Sequence, residues 1–230
     1  MNPNHLNVYL VDDDEPIRRS VGTLLLAHLN DCSIKTFASG EAFLLGASLD
    51  ASGVVVLDYE MGNGMTGLEV FQVLRERESP LQVVFLSGKG TLSDAVRAME
   101  KGAVSWVEKL DTEEKLLQTI RLAKQRAAEV AVKRRDHHHA VQNWVKLTLR
   151  EKQVAALVAP GHSAKGCAKM LTEPHPERSI HPRTVENFRA KAFAKLGVSN
   201  SNELLIFLRD NDLWEEAQAS LKLSPAKARD

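Results

Sequence analysis

In the stretch VVVLDYEM, residues 54–61, four apolar residues lead directly into an aspartate. A run this apolar is typical of a strand that is buried on both faces of a parallel sheet. The carboxyl ends of parallel strands lie along one edge of the sheet, where their polar residues gather in a crevice. The position of Asp58 therefore directs attention to the ends of the other strands.

Four further β-rich runs lie in the first half of the chain. The five runs are LNVYLV (6–11), SIKTF (33–37), GVVVL (53–57), QVVFLS (82–87) and AVSWV (103–107). Between them, residues 16–29, 40–49, 67–78 and 91–101 carry apolar residues at helical spacing. Regular alternation of strands and helices predicts an α/β fold with a doubly wound, five-stranded parallel sheet that helices cover on both faces.

Polar residues follow four of these strands. They are Asp12, Asp13 and Asp14 after the first, Asp58 after the third, Ser87 after the fourth and Lys109 just past the fifth. Clustered carboxylates stay ionised only beside a cation, and Mg²⁺ is commonly held by one or two carboxylates together with water. A lysine and a hydroxyl are suitable donors to the oxygens of a phosphoryl group on an aspartate. The pattern therefore suits a phosphorylated carboxylate.

The segments VDDDEPIRRS, VVLDYEM, TGLEVFQVL, FLSGKGTLSDAVRAMEKGA and SWVEK resemble the receiver domain of two-component response regulators, particularly its FixJ-like branch, over about residues 5–125. The resemblance implies a flavodoxin-like, CheY-like fold, Mg²⁺ as the cofactor and a sensor histidine kinase as a partner. It implies that Asp58 is the phosphoacceptor, with Lys109 on the phosphoryl oxygens. Ser87 is the implied switch hydroxyl and Trp106 the implied switch aromatic residue.

The same resemblance implies a set of metal ligands. Asp13 is the direct metal carboxylate with Asp12 nearby, Asp58 joins them, and Glu60 contributes its backbone carbonyl. Asp14 is expected to be a bystander. The alternative interpretation is a receiver-like module that is not phosphorylated and whose aspartates are structural.

Three features depart from the family pattern. Leu110 follows Lys109 where proline is usual, so we expect a trans peptide bond, which leaves the placement of Lys109 open. The loop MGNGMTG, residues 61–67, lacks the usual proline and is one residue longer. Trp106 is bulkier than the common tyrosine or phenylalanine, so we expect its inward rotation to be restricted.

The second half of the chain is helical and basic. Residues 1–111 carry 9 Lys and Arg against 16 Asp and Glu, giving −7, and residues 112–230 carry 21 against 14, giving +7. Residues 112–146 predict one long helix without Gly or Pro, which serves either as a connector with a dimer seam or as the last helix of the sheet domain plus a solvated linker. Further helices are predicted from the TLRE capping box to residue 158, from Ser163 to 171, over 182–197 and in SNELLIFLRD.

The segment from TLREKQ to SNELL, about residues 147–209, resembles the LuxR-type helix-turn-helix. Its LxxRE opening, PRTVE helix start and KLGV exit match best, and they imply a recognition helix in the DNA major groove, commonly in a dimer. The DNA-facing positions carried over are Arg183, Glu186, Asn187, Arg189, Lys191 and Lys195. The segment TEPHPER, residues 172–178, is inserted before this helix, where Arg178 and His175 could add phosphate contacts.

These observations predict a receiver domain (1–125), a helical linker (126–146), a small all-α DNA-binding domain (147–212) and a C-terminal tail (213–230). The predicted function is that of a phosphorylation-controlled transcriptional regulator, not an enzyme, with a sensor kinase, double-stranded DNA, RNA polymerase and a second copy of the chain as partners. The alternatives are DNA binding independent of phosphorylation, and a protein–protein signalling adaptor.

We expect a cytoplasmic protein without a membrane partner. Cys32 and Cys167 lie far apart, no apolar run approaches about 18 residues, and the N-terminus lacks a signal pattern.

Overall fold

The computed structural model describes residues 6–29, 32–62, 64–172 and 180–223. The chain forms two compact units, Met1–Lys133 and Arg134–Asp230, each with its own hydrophobic core. Within the described ranges, no helix is both long and apolar enough to cross a membrane. The inserted segment 172–178, apart from Thr172, lies outside these ranges, and so do its Arg178 and His175.

The first unit contains a five-stranded parallel sheet, as predicted. Its strands are β1 (Leu6–Val11), β2 (Cys32–Phe37), β3 (Gly53–Asp58), β4 (Gln82–Ser87) and β5 (Ser105–Glu108), in the spatial order β2-β1-β3-β4-β5. Every residue of the central strand β3 is buried, which explains its unbroken apolar run. The strand order reverses beside β1, and the crevice of such a sheet opens at this point, outside the carboxyl ends of β1 and β3.

Helices cover both faces of the sheet. They are α1 (Glu15–His28), α2 (Gly40–Gly46), α3 (Gly67–Glu76), α4 (Leu92–Glu100) and the first part of α5 (Glu113–Val145). Alternate strand residues divide into two cores: Val54 and Val56 face α1 and α5, while Val55 and Leu57 face α2, α3 and α4. The period-two alternation of a strand thus places buried residues on both sides of the sheet.

The predicted long helix is present as α5, and it contributes buried residues to each of the two units. Leu116, Ile120 and Ala127 are buried in the first unit, whereas Ala140 and Trp144 are buried in the second. Residues 132–139 between them are exposed. Both ends of α5 are therefore parts of folded units, and the solvated stretch between them is short.

The second unit is all-helical, again as predicted. After α5 come α6 (Leu149–Val158), α7 (Ala164–Thr172), α8 (Pro182–Leu196), α9 (Ser201–Asp210) and α10 (Trp214–Ser220). The predicted caps are present: Thr148 and Glu151 form the capping box of α6, Ser163 accepts from Gly166 N at 3.1 Å, and Gly197 ends α8 in the left-handed conformation.

Helix α10 lies inside the segment assigned to a C-terminal tail, for which no helix was predicted. Its Ala217 is fully buried in the helical core. The buried Gln153 amide of α6 donates to the carbonyl oxygens of Ser220 at 3.0 Å and Leu223 at 2.9 Å. Residues 213–223 therefore belong to the packed unit, because α6 needs a partner for an apolar face and for a buried polar group.

Candidate functional site

A lysine bridges two buried carboxylates at the carboxyl edge of the sheet. Lys109 Nζ lies 2.8 Å from Asp58 Oδ2 and 2.8 Å from Asp12 Oδ2. The Lys109 side chain is 17% exposed, against 4% for Asp58 and 1% for Asp12. The strand ends that were expected to converge therefore do so, and a single ammonium group serves two carboxylates.

The local sequence explains how each carboxylate is held. Asp12 directly follows β1, where its amide donates to Phe37 O at 3.2 Å and its side chain accepts from Asp14 N at 2.9 Å. Asp14, the expected bystander, caps α1 by accepting from Ile17 N at 3.3 Å. Asp58 is the last residue of β3, so the sheet fixes its backbone while its side chain points to the crevice.

The electrostatics of the cluster follow from burial and repulsion. Burial raises the pKa of the Asp58 carboxyl, and repulsion from Asp12 adds to the rise, against the lowering effect of Lys109. Burial alone would lower the pKa of Lys109, but its bonds to Asp12 and Asp58 leave that pKa raised overall. The ammonium group of Lys109 therefore stays charged beside the two carboxylates.

Asp13 completes a group of three carboxylates. Ligand oxygens of Asp12, Asp13 and Asp58 all lie within 4.8 Å of one another, and Asp13 is the exposed member. A cleft of about 610 Å³ opens beside them, lined by Asp13, Asp14, Asp58, Glu60, Met61, Gly62, Thr66, Gly88, Lys89 and Lys109. Hard oxygen ligands at the mouth of an open cleft fit a Mg²⁺ ion that keeps several waters. The pocket is thus compatible with Mg²⁺, and the role of the Glu60 carbonyl stays a prediction.

Ser87 is oriented by the loop after β4. Its buried Oγ accepts hydrogen bonds from Gly90 N at 2.9 Å and Lys89 N at 3.3 Å. Lys109 N donates to Ser87 O at 2.8 Å, which ties the ends of β4 and β5 together. The hydroxyl thus lies next to the strand that carries Asp58, as the sequence analysis expected.

Trp106 packs inward over this loop. Its ring stacks on Phe85 with centroids 5.3 Å apart and lies 5.0 Å from the ring of Tyr59. A β-carbon at Gly90 would lie 2.1 Å from Trp106 Cζ2 and 3.0 Å from Ser87 Oγ. Only glycine at position 90 leaves room for the indole, so the bulk of Trp106 is accommodated by a residue that the sequence analysis did not single out.

Tyr59 is a second residue that the sequence analysis missed. It directly follows Asp58, and its ring lies against Trp106. Burial raises the pKa of the Tyr59 hydroxyl, and its hydrogen bond to Asp94 adds to the rise. Asp94 also closes the capping box of α4 with Thr91. The residue after Asp58 thus contacts both Trp106 and the start of α4.

The Lys109–Leu110 peptide bond is trans, as predicted, and Lys109 still reaches Asp58. Asp111 holds the turn that makes this possible, because its carboxylate accepts from Glu108 N at 2.9 Å and pairs with Lys115 at 2.7 Å. Leu110 itself is 93% exposed. The turn therefore places Lys109 without the family's proline.

Most of the predicted DNA-facing residues are exposed side chains of α8. Arg183, Glu186, Asn187, Arg189 and Lys191 are all exposed, whereas Val185, Ala192 and Leu196 on the other side are buried. Arg189 lies over the ring of Phe193, 5.9 Å from its centroid. The geometry leaves these five side chains accessible to a ligand.

Lys195 differs from the other five. Its Nζ lies 2.6 Å from the Glu151 carboxylate and 3.1 Å from Lys146 O. Glu151 is 3% exposed and Lys195 36% exposed. Burial would raise the pKa of Glu151, but Lys195 and the capping box around Thr148 hold it below its usual value. The ammonium group of Lys195 therefore fastens α8 to α6 within the unit.

Comparison with known proteins assigns each of the two units to a protein family. Residues 8–121 match the family model described as response regulator receiver domain, and residues 145–208 match that of bacterial regulatory proteins, luxR family. The chain is 31% identical to the transcriptional regulatory protein TdiR of Thauera aromatica, over 89% of this chain and 86% of that protein. It is 32% identical to the transcriptional regulatory protein FixJ of Rhizobium meliloti, over 82% of this chain and 88% of that protein.

Solved structures of response regulators are similar to this chain over most of its length. The response regulator StyR matches with a TM-score of 0.73 at 30% identity, covering 88% of this chain and 98% of that one. Full-length FixJ from B. japonicum matches with a TM-score of 0.50 at 28% identity, covering 90% and 97%.

The chain therefore belongs to the two-component response regulators. Within them it combines a receiver domain with a LuxR-type DNA-binding domain, which makes it a phosphorylation-controlled transcription regulator.

Proposed function

We propose that Asp58 accepts a phosphoryl group from a histidine of a sensor kinase, and that this modification controls DNA binding by α8. The observation that carries the proposal is the placement of Asp58 at an open cleft, beside two further carboxylates and 2.8 Å from Lys109 Nζ. In the transfer, a phosphorus–nitrogen bond to the kinase histidine breaks and a phosphorus–oxygen bond to an Asp58 carboxylate oxygen forms. The histidine nitrogen keeps the electron pair of the broken bond.

Each neighbouring residue has a role in this proposal. Asp12, Asp13, Asp58 and the Glu60 carbonyl would hold Mg²⁺, which when bound neutralises the charge that builds up on the transferred group. Lys109 pairs with the phosphoryl oxygens in place of the unmodified carboxylate. Ser87 turns its hydroxyl from the loop amides toward the new phosphoryl group, and the packing of Trp106 over this loop changes with it.

We further propose that the regulator works in the cytoplasm, binds paired half-sites of double-stranded DNA as a dimer and acts on RNA polymerase. The exposed Arg183, Arg189 and Lys191 supply cations for phosphates and base edges, and Glu186 and Asn187 are exposed on the same helix. The chain speeds its own modification but turns over no other substrate, so we do not class it as an enzyme.

The test measures the intact mass of the protein after incubation with a small phosphodonor and Mg²⁺. We expect one phosphoryl adduct on the wild type and on Asp50→Asn, a control carboxylate in the turn after α2, and none on Asp58→Asn. An equal adduct on Asp58→Asn would refute Asp58 as the acceptor.

A second measurement separates the proposal from phosphorylation-independent DNA binding. Affinity for duplex DNA is compared with and without phosphodonor, for the wild type and Asp58→Asn. We expect the donor to raise affinity only for the wild type, with a steep salt dependence that reflects counterion release. Equal affinity in all four samples would favour the phosphorylation-independent regulator, and absence of salt-dependent binding would favour the adaptor.

A further inference from the structure

Glu41, at the start of α2, contacts the loop that follows Asp58. Its Oε1 accepts a hydrogen bond from Met65 N at 2.7 Å, across 24 positions of sequence. This bond is the largest cause that lowers the pKa of Glu41, which therefore stays ionised at neutral pH. The bond joins the exposed side chain of Glu41 to the backbone of the loop, and it needs only an acceptor oxygen at this position.

Two glycines permit this contact. A β-carbon at Gly64 would lie 2.9 Å from Glu41 Oε1 and 3.0 Å from Oε2. On the other side, a β-carbon at Gly40 would lie 2.3 Å from Val70 Cγ2 of α3. The start of α2 is therefore packed against both the loop and α3, and each point of closest approach has a glycine.

The loop in question is the one that departs from the family pattern by its missing proline and extra residue. It carries Met61 and Gly62, which line the cleft of Asp58, and it follows directly on Glu60. At its far end, Thr66 caps α3 and Gly67 N donates to Tyr59 O at 2.9 Å. Proline would restrict such a loop through its ring, whereas here a carboxylate from another element supplies the restraint.

We propose that Glu41 is a positioning residue of the phosphorylation site: it holds the loop after Asp58 in the conformation that admits Mg²⁺ and the phosphodonor. It contacts neither the ion nor the phosphoryl group and acts only through the Met65 amide. This inference rests on the proposed role of Asp58. The competing interpretation is that Glu41 is merely a favourable acid in the first turn of a helix.

Three variants separate these interpretations. Glu41→Ala removes the acceptor, whereas Glu41→Gln removes the charge and keeps an oxygen of the same reach. Gly64→Ala keeps Glu41 but forces its carboxylate away, because a β-carbon at position 64 would lie 2.9 Å from Glu41 Oε1. Asp50→Asn is the matched control.

Two readouts are needed. Hydrogen exchange of the full-length protein measures protection of the loop amides, and intact mass measures the rate of phosphorylation by a small donor with Mg²⁺. We expect Glu41→Ala and Gly64→Ala to lose protection around Met65 and to slow phosphorylation about tenfold, the lower end of the range for outer-shell supports. Glu41→Gln should stay close to the wild type, and the thermal midpoint should change little in all variants.

The double variant Glu41→Ala/Gly64→Ala should be no slower than either single variant, because both remove the same contact. Wild-type rates in Glu41→Ala, or a loss in Glu41→Gln equal to that in Glu41→Ala, would overturn the proposal in favour of the helix-charge interpretation.

If the wild type accepts no phosphoryl group, the role of Asp58 fails first. The positioning role is then judged by calorimetric titration with Mg²⁺. Weaker Mg²⁺ binding by Glu41→Ala than by Asp50→Asn would still support it, and equal binding would overturn it.

Discussion

At the scale of single residues, Lys109 is the side chain that holds the acidic cluster together. It is the ammonium group shared by Asp12 and Asp58, both of which are buried. Removing one partner of a buried ion pair leaves an uncompensated charge, and here it leaves two like charges close together. Loss of the Lys109 ammonium group should therefore lower the stability of the receiver unit as well as impair phosphorylation of Asp58.

We predict that Lys109→Met lowers the free energy of unfolding of the receiver unit by roughly 3 kcal/mol at pH 7.5. The pKa of Asp58 is already raised by burial and by Asp12, and loss of Lys109 raises it further. The folded protein then takes up a proton that the unfolded chain does not hold, so stability recovers as the pH falls toward that pKa. Urea unfolding at pH 7.5 and pH 5 measures this, and an equal loss at both values would contradict it.

At the scale of elements, α8 uses its two lysines differently. Lys191 is exposed, whereas Lys195 pairs with the buried Glu151 of α6. The pKa of Glu151 is held below its usual value, so the pair stabilises the unit above the ordinary glutamate pKa of about 4.3 and loses this effect as the pH falls through the lowered value.

We predict that Lys195→Met lowers the stability of the helical unit by about 1–2 kcal/mol at pH 7, a value reduced because the lysine is partly solvated. Lys191→Met should leave stability unchanged and reduce the slope of log affinity against log salt by about 1. Urea unfolding and DNA titration over a range of salt concentrations test the pair. Equal effects of the two variants on both measurements would show that Lys195 is an ordinary phosphate contact.

A second prediction at this scale concerns the loop between β4 and α4. The methyl group of Gly90→Ala would overlap the indole ring of Trp106, so the ring must leave its stack on Phe85. We expect Trp106 fluorescence to shift to the red, measured with Trp144 and Trp214 replaced by phenylalanine. The same substitution in a Trp106→Phe background should have a smaller effect on stability, because the smaller ring leaves space. An unchanged spectrum would show that the indole has room to spare.

At the scale of the whole molecule, the two units have separate hydrophobic cores and opposite net charges. Units with separate cores unfold as separate cooperative transitions. We therefore predict that Lys109→Met shifts only the transition reported by Trp106 and that Lys195→Met shifts only the one reported by Trp144. Tryptophan fluorescence during urea unfolding, with single-tryptophan variants, measures each. A single transition moved by both variants would contradict this.

The distance in sequence between interacting residues explains which features of the structure could be predicted from the sequence. Strands, helices and caps depend on residues a few positions apart, so β3 and the capping boxes at Thr66, Thr91 and Thr148 leave local patterns. Those at Thr66 and Thr91 were nevertheless not singled out. The gathering of Asp12 and Asp58 was also predictable, because parallel strands must place their carboxyl ends together.

Local patterns in the sequence thus predict the order of the elements, the class of the sheet and the edge on which the acidic residues meet. Tertiary structure alone decided how the charges pair: Lys109 reaches 51 positions back to Asp58, and Lys195 reaches 44 positions back to Glu151. It also decided that Glu41 supports the loop beside Asp58, and that α10 closes the helical core. Local propensity cannot encode such contacts, because they depend on which surfaces packing brings within hydrogen-bond distance.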